Sequence, residues 1–206
     1  MNPHNALGTI YLGAPIELAS ECATLAAVVA RLEQTQTPYV VIANAQVGGR
    51  QIDCIAATAS AATLIEVKTS SIPVRGDLNG PWARQDASGS WRPYTNAYQQ
   101  ALNAKNAVRD ALSALKPLSG YYPDAVVLFA GGVPEGSQVT PGDFKVRVTS
   151  LADFTAGFPS ADRQSSPLDL SDWRRFAAAL SLTAVSLEEA VGGEQVRADL
   201  ERLRQF

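Results

Sequence analysis

A chain of 206 residues, 46% of them hydrophobic, is long enough to bury a core and predicts one domain, or one domain with an appendage. A single histidine, His4, and two widely separated cysteines make a Ser-His-Asp triad, a histidine-rich metal site or a zinc cluster very poor interpretations. No apolar run approaches membrane-spanning length and no leader-like segment begins the chain, so we expect a cytoplasmic protein without a membrane partner.

Charge is unevenly distributed along this chain, whose formal net charge is −3. Residues 50–109 hold seven basic and four acidic side chains, a balance of +3, whereas the segments before and after carry −2 and −4. A basic surface around acidic residues suits a phosphate-bearing substrate, although scattered surface arginines would give the same balance. No phosphate-binding P-loop or dinucleotide-binding glycine motif is present.

Helical periodicity over residues 16–33 predicts the first helix. Leu18, Cys22, Leu25 and Leu32 share its apolar stripe, and Glu21 falls inside that stripe. A glutamate on a buried face needs a partner. Either it interacts with the helix dipole and backbone amides, or it reaches a functional site; we favour the second interpretation.

A strand over residues 39–43 and a turn at Gly48-Gly49 lead to a predicted hairpin, with strands at 51–56 and 63–68. Side chains alternate along a strand, so Glu66 and Lys68 share one face, and Asp53 lies on the neighbouring strand. Close, half-desolvated carboxylates are costly unless something neutralises them. A divalent cation held by Asp53 and Glu66 would do so.

Residues 70–93 are rich in glycine, proline and arginine and include Trp82 and Trp91. A segment this long is expected to be functional or to be ordered by its own short strands. The tryptophans could stack on nucleic-acid bases or pin the segment to the body of the protein, and pinning is the commoner role.

The strongest predicted helix covers residues 94–115 and has an alanine-rich apolar stripe. Gln100 lies at the edge of this stripe. Its amide is placed either to hydrogen-bond to groups of the site or to be satisfied by backbone within the core, and we leave both interpretations open.

The rest of the chain predicts two strands, a linker and three helices. Residues 124–130 form a continuous apolar strand, typical of the centre of a sheet, and residues 144–148 alternate like an edge strand. A polar linker over 160–167 precedes helices predicted at 171–180, 186–190 and 193–204. The order of elements predicts one sheet with helices packed on it.

Four features together resemble the nuclease-related domain (NERD) family of the PD-(D/E)XK nuclease superfamily. They are the helical Glu21, Ile52-Asp53 on one strand, Glu66-Val67-Lys68 on the next, and Asn96-x-x-x-Gln100 on a later helix. The resemblance covers about residues 13–150. The chain departs from the family patterns at two positions. The superfamily has a proline directly before the aspartate, where this chain has Ile52, and the family has Asn-Pro where this chain has Asn96-Ala97.

The resemblance implies an α/β, restriction-endonuclease-like core over residues 1–155, with a central mixed sheet flanked by helices and a helical C-terminal extension over 160–206. It also implies a metal-dependent nuclease that uses Mg²⁺ (or Mn²⁺). The implied metal ligands are Asp53, Glu66, the Val67 carbonyl and Glu21. Lys68 would orient the attacking water and stabilise developing charge, and Gln100 would position water or backbone.

We expect DNA rather than RNA as the substrate. The resemblance also implies a role in defence, with a helicase or another ATPase as partner protein. The expected nucleic-acid-binding residues are Arg50, Arg75, Arg84, Arg92, Trp82 and Trp91. Two alternatives remain open. The domain could be a catalytically idle module that binds nucleic acid or a partner protein. It could also be a structural module in which Glu66–Lys68 is a surface ion pair. Strong burial of that pair, or its exposure far from Asp53, would favour this interpretation.

Overall fold

The computed structural model describes residues 7–116, 121–159 and 166–192, which form two sheets and five α-helices. The helices are α1 (Ala19–Gln34), α2 (Ala97–Leu115), α3 (Leu151–Ala156), α4 (Leu170–Ala179) and α5 (Leu187–Ala190). The strands are β1 (Gly8–Leu12), β2 (Tyr39–Val47), β3 (Arg50–Thr58), β4 (Ala62–Lys68), β5 (Val74–Gly76), β6 (Trp82–Gln85), β7 (Trp91–Tyr94), β8 (Asp124–Phe129), β9 (Gln138–Val139), β10 (Arg147–Ser150) and β11 (Thr183–Val185).

Seven strands make a mixed central sheet in the order β10-β8-β4-β3-β2-β1-β11. The β2, β3 and β4 strands are antiparallel neighbours, whereas β4, β8 and β10 run parallel to one another, as do β1 and β2. One face packs against α2 and α4, and the other packs against α1 and α3. This arrangement confirms the expected fold class, a central mixed sheet between helical layers.

The predicted central hairpin is present as β3 and β4, and Gly48-Gly49 forms the tight turn that joins β2 to β3. Both glycines have positive φ, as a two-residue hairpin turn of this kind requires. The first two helices begin about three residues later than predicted, at Ala19 and Ala97. Asn96 caps α2 by accepting a hydrogen bond from the Gln99 amide at 2.9 Å. No helix among the described residues is both long and apolar enough to cross a membrane.

Three parts of the sequence prediction were wrong or incomplete. β1 was missed, because five residues before the first helix carry little periodic signal. The strand predicted at 144–148 begins at Arg147, and Phe144 stands 86% exposed in the preceding loop. The predicted helical extension also contains a strand, because β11 pairs with β1 in the central sheet. The helix predicted at 193–204 and residues 160–165 of the predicted linker lie outside the described residues.

Residues 74–94 form their own small antiparallel sheet, ordered β7-β6-β5, with β9 pairing parallel to β5. Its anchor is Trp82, which is fully buried in the core cluster beneath α2. The Trp82 indole N–H donates to the Asp77 carbonyl oxygen at 2.9 Å, and the ring lies over Gly76, where any Cβ would overlap it. The pinning interpretation therefore holds for Trp82, and its assignment to the nucleic-acid-binding surface was wrong.

We predict that Trp82→Ala lowers the free energy of unfolding by about 3–5 kcal/mol, because it leaves a large cavity under the small sheet. The matched variant Trp91→Ala should cost about 1 kcal/mol or less, since that ring is partly exposed. Urea unfolding followed by circular dichroism measures both values. Equal losses in the two variants would contradict the anchoring role of Trp82.

Candidate active site

A cleft of about 570 Å³ opens where β3 begins and β4 ends, between the N-terminal turns of α1 and α2. Its walls include all the residues that the sequence assigned to catalysis and metal binding. They are Glu21, Asp53, Glu66, Val67, Lys68 and Gln100. Arg50 and Tyr94 also line the cleft. Positions separated by as many as 79 residues along the chain are thus brought to one place.

A break in the central sheet places Asp53 at this cleft. Hydrogen-bonded pairing of β2 with β3 skips Asn44 and Asp53, which lie between the pairs Ala43–Cys54 and Ala45–Ile52. Across the break the strands change face. Ala43 and Cys54 pack on the α1 side, whereas Ala45 and Ile52 pack on the α2 side. Asn44 has a φ of +44°, a left-handed conformation that asparagine tolerates better than most residues.

Asn44 also ties the break to the segment that leads into α1. Its side-chain amide donates to the carbonyl oxygens of Ala14 and Pro15 at 3.2 and 2.7 Å. Its side-chain oxygen accepts from Gln51 at 2.9 Å. The helix that carries Glu21 and the strand that carries Asp53 are therefore fixed through one residue. Asn44 was not among the predicted site residues; its signal was the one polar side chain that interrupts the apolar run Tyr39–Ala45.

The Asp53 carboxylate is half-buried, and its Oδ2 accepts a hydrogen bond from the Val67 backbone amide at 2.8 Å. The ladder between β3 and β4 ends at Cys54–Ile65, so this bond links the strands where regular pairing has stopped. Burial, together with repulsion from Glu66, raises the pKa of Asp53 from 3.8 to about 7, although the Val67 hydrogen bond opposes the rise.

Glu66 and Lys68 form an ion pair on the cleft wall, with Lys68 Nζ 2.7 Å from Glu66 Oε1. Glu66 is only 6% exposed. Glu21 faces the same charges from α1. Burial raises the pKa of Glu21, the Glu66 carboxylate adds to the rise, and Lys68 opposes it. The cleft therefore concentrates three carboxyl groups around one lysine.

Gln100 reaches the cleft from the first turns of α2. Its side-chain oxygen is buried and has no hydrogen-bond partner among the described residues. A buried amide oxygen without a partner is unfavourable, so a water molecule or another donor in the cleft would satisfy it. The outcome favours the interpretation of Gln100 as a site residue over that of a core glutamine satisfied by backbone.

The donor set of the cleft fits a hard divalent cation that keeps part of its water shell. Within residues 7–116, 121–159 and 166–192, no three His, Cys, Asp or Glu side chains are grouped to hold a metal ion by themselves. Mg²⁺ commonly uses one or two carboxylates and retains several waters. Asp53 and Glu66 supply two carboxylates, and the raised pKa of Asp53 marks an electrostatic cost that a cation would relieve.

The model of the nuclease-related domain matches residues 20–130, which is 111 of the 206 residues. The chain belongs to the nuclease-related domain family. The matched segment includes every predicted catalytic position of this NERD domain, from Glu21 to Gln100. Neither the curated proteins nor the solved structures contain a significant match to the chain.

The expected nucleic-acid-binding residues of the NERD domain lie at two places, the cleft and the small sheet. Arg50 is exposed at the cleft. Arg84 and Arg92 are exposed on the small sheet, as is Arg75, whose guanidinium stacks on Trp91. Tyr94, which the sequence analysis did not single out, lines the cleft at the end of β7. The cleft and the small sheet are thus continuous through this tyrosine.

We predict that Asn44→Ala lowers the free energy of unfolding by roughly 2 kcal/mol, because alanine disfavours positive φ and loses three side-chain hydrogen bonds. Asn44→Gly should recover the backbone part and cost about 1 kcal/mol. The measurement is denaturant unfolding of both variants beside the wild type. If glycine proves as damaging as alanine, the left-handed backbone is not what selects asparagine here.

We predict that Asp53→Asn stabilises the metal-free protein at pH 8 by roughly 1 kcal/mol or more, and has much less effect at pH 4. The folded-state pKa of Asp53 is raised above its unfolded value. The contribution of the acid to stability is therefore highest below pH 4 and falls as pH rises towards 7. Urea unfolding in EDTA at several pH values tests this, and a pH-independent difference between the proteins would contradict it.

Proposed function

We propose that this nuclease-related domain hydrolyses phosphodiester bonds of DNA in a reaction that requires Mg²⁺ or Mn²⁺. The observation that carries the proposal is the meeting of Glu21, Asp53 and Glu66 around Lys68 in one half-buried cleft. Folding alone does not favour such an arrangement, because desolvated carboxylates repel one another. A site that binds a cation and a phosphate would account for this cluster of carboxylates and lysine.

A purely structural Glu66–Lys68 ion pair is a poorer account of the cleft. The pair is buried, as that alternative expects, since the side chains of Lys68 and Glu66 are 14% and 8% exposed. One lysine cannot neutralise Asp53 and Glu21 as well, and the pKa values of both acids are raised despite its presence. The acids that remain uncompensated are what the structural account leaves unexplained.

The residues of the cleft can divide the work of hydrolysis among them. Asp53, Glu66 and the Val67 carbonyl would hold the metal ion, which when bound supplies a Lewis acid for the phosphate and the nucleophile. The Lys68 ammonium, held at the carboxylates, orients the attacking water and stabilises charge that develops on the phosphate. Gln100 accepts a hydrogen bond from water through its unpaired oxygen, and Glu21 orients water from α1.

A catalytically idle domain is the second candidate. It is favoured by the observation that Lys68 already occupies one oxygen of Glu66, while the described residues offer no ready group of three metal-binding side chains. Such a module would bind nucleic acid or a protein partner, such as a helicase or another ATPase, without cleaving. A cytoplasmic role in defence belongs to the first proposal as its wider context.

We predict that purified protein cleaves plasmid DNA or DNA oligonucleotides with Mg²⁺ or Mn²⁺ and does not cleave them in EDTA. Asp53→Asn and Lys68→Met should each reduce the rate by about 100-fold or more, since each removes a metal ligand or a charge-stabilising group. Gel assays with labelled DNA measure the rates. Glu135→Gln, which changes an exposed loop acid outside the cleft lining, is the matched control and should retain the wild-type rate.

Metal binding provides a separate readout. Titration calorimetry with Mn²⁺ should give weaker binding for Asp53→Asn than for Glu135→Gln. If all proteins are folded and Mn²⁺ binds the wild type without any cleavage, the idle-domain candidate is favoured. Cleavage that survives both Asp53→Asn and Lys68→Met would place the activity outside this cleft.

A further inference from the structure

Each face of the small sheet carries an arginine beside an aromatic ring, and the register of the strands determines which face meets the cleft. Trp82 pairs with Tyr94, and Arg84 pairs with Arg92. Because side chains alternate along a strand, these four residues share one face. Trp82 belongs to the core cluster and Tyr94 packs against it, so this face turns towards the body of the protein and the cleft.

On this face, the guanidinium carbon of Arg84 lies 5.7 Å from the centroid of the Tyr94 ring. The ring lines the catalytic cleft, and Arg84 is exposed. The arginine therefore stands beside the mouth of the cleft, one aromatic ring away from it. Arg50 lines the cleft as well, from the beginning of β3. A negatively charged chain that occupies the cleft would meet an arginine at both places.

The pairing of Arg84 with Arg92 puts two like charges directly opposite each other, which destabilises a sheet. Asp86 relieves only one of them, because its carboxylate accepts a hydrogen bond from Arg92 Nε at 2.8 Å. Arg84 has no ion pair among the residues that the structure describes. An anion placed at Arg84 would compensate a repulsion that the fold leaves in place.

The opposite face carries the second arginine–aromatic pair. Arg75 pairs with Ala83, which pairs in turn with Pro93, and the Arg75 guanidinium carbon lies 4.6 Å from the Trp91 ring centroid. This stack covers Ala83, which is 8% exposed. By alternation the stack faces away from Trp82 and the cleft. The Arg75–Trp91 stack therefore resembles Arg84–Tyr94 in composition but differs in position.

We propose that the cleft-side face of the small sheet, through Arg84 beside Tyr94, binds the phosphodiester backbone of a nucleic-acid strand that enters or leaves the cleft, with Arg50 as the second backbone contact. The Arg75–Trp91 stack stabilises the outer face and does not bind the strand. This inference deepens the proposed function by naming the path of the substrate, and it can be tested without cleavage.

The test is the binding of fluorescein-labelled oligonucleotides in EDTA, measured by fluorescence anisotropy over a series of salt concentrations. Arg84→Gln and Arg75→Gln form a matched pair, since each removes one exposed guanidinium that stacks on an aromatic ring. Arg84→Gln, and independently Arg50→Gln, should weaken binding by about three- to tenfold and reduce the slope of log Kd against log salt by about 1. Arg75→Gln should change the Kd by less than about twofold.

Two further measurements separate binding from folding. Arg84→Gln should leave the melting temperature unchanged or raise it, because it removes the repulsion from Arg92. Arg84→Lys keeps the charge and should restore most of the affinity and the salt slope. Parallel DNA and RNA oligonucleotides of one sequence show which backbone is preferred, and a response to Arg84→Gln with either supports the assignment.

The inference is overturned if Arg84→Gln binds like the wild type, or if Arg75→Gln weakens binding as much as Arg84→Gln does. It is also overturned if Arg84→Gln loses affinity only together with a lowered melting temperature that Arg84→Lys does not restore. If Arg84→Gln selectively loses affinity, but the wild-type protein cleaves DNA with neither Mg²⁺ nor Mn²⁺, the binding face is supported and the proposed hydrolysis is rejected. The two proposals therefore fail separately.

Discussion

The architecture of the cleft depends on the cost of holding Asp53, Glu66 and Glu21 away from bulk water. In a regular sheet, the side chain of Asp53 would follow the alternation of side chains along β3. The break opposite Asn44 stops the pairing, and the Asp53 carboxylate accepts a hydrogen bond from the Val67 amide instead. The same break is joined to the segment before α1 by the side chain of Asn44. Backbone geometry and electrostatics thus meet at one point, and the raised pKa of Asp53 reflects both.

Much of this site was predictable because its residues obey local rules. The alternation of side chains along β4 predicted that Glu66 and Lys68 share a face, and helical periodicity predicted that Glu21 lies on the buried face of α1. The break at Asn44 was not predictable in this way, since an isolated asparagine in an apolar run also fits a regular strand. β1 and β11 were missed for a different reason. They are three to five residues long, and their pairing joins positions more than 170 residues apart.

In the small sheet, amino-acid composition predicted which residue types are present at the surface, but the strand register was needed to assign each residue to a face. The arginines and tryptophans of residues 70–93 predicted a nucleic-acid-binding surface from composition alone. Composition could not tell which tryptophan is buried or which arginine faces the cleft, because both questions depend on the pairing of β6 with β7. Trp82 supports the sheet from within, and Arg75 and Arg84 are separated by the thickness of the sheet.

The position of β11 beside β1 changes what counts as the folding unit. The family match ends at residue 130 and begins at residue 20, so β1, β10 and β11, three of the seven central strands, lie outside it. A fragment trimmed to the matched residues would expose the backbone edges of β2 and β8, which in the full chain are both covered. Open edges of this kind pair with other chains. The folding unit of this protein is therefore larger than the segment matched by the family, because the central sheet needs β1, β10 and β11 to cover its edges.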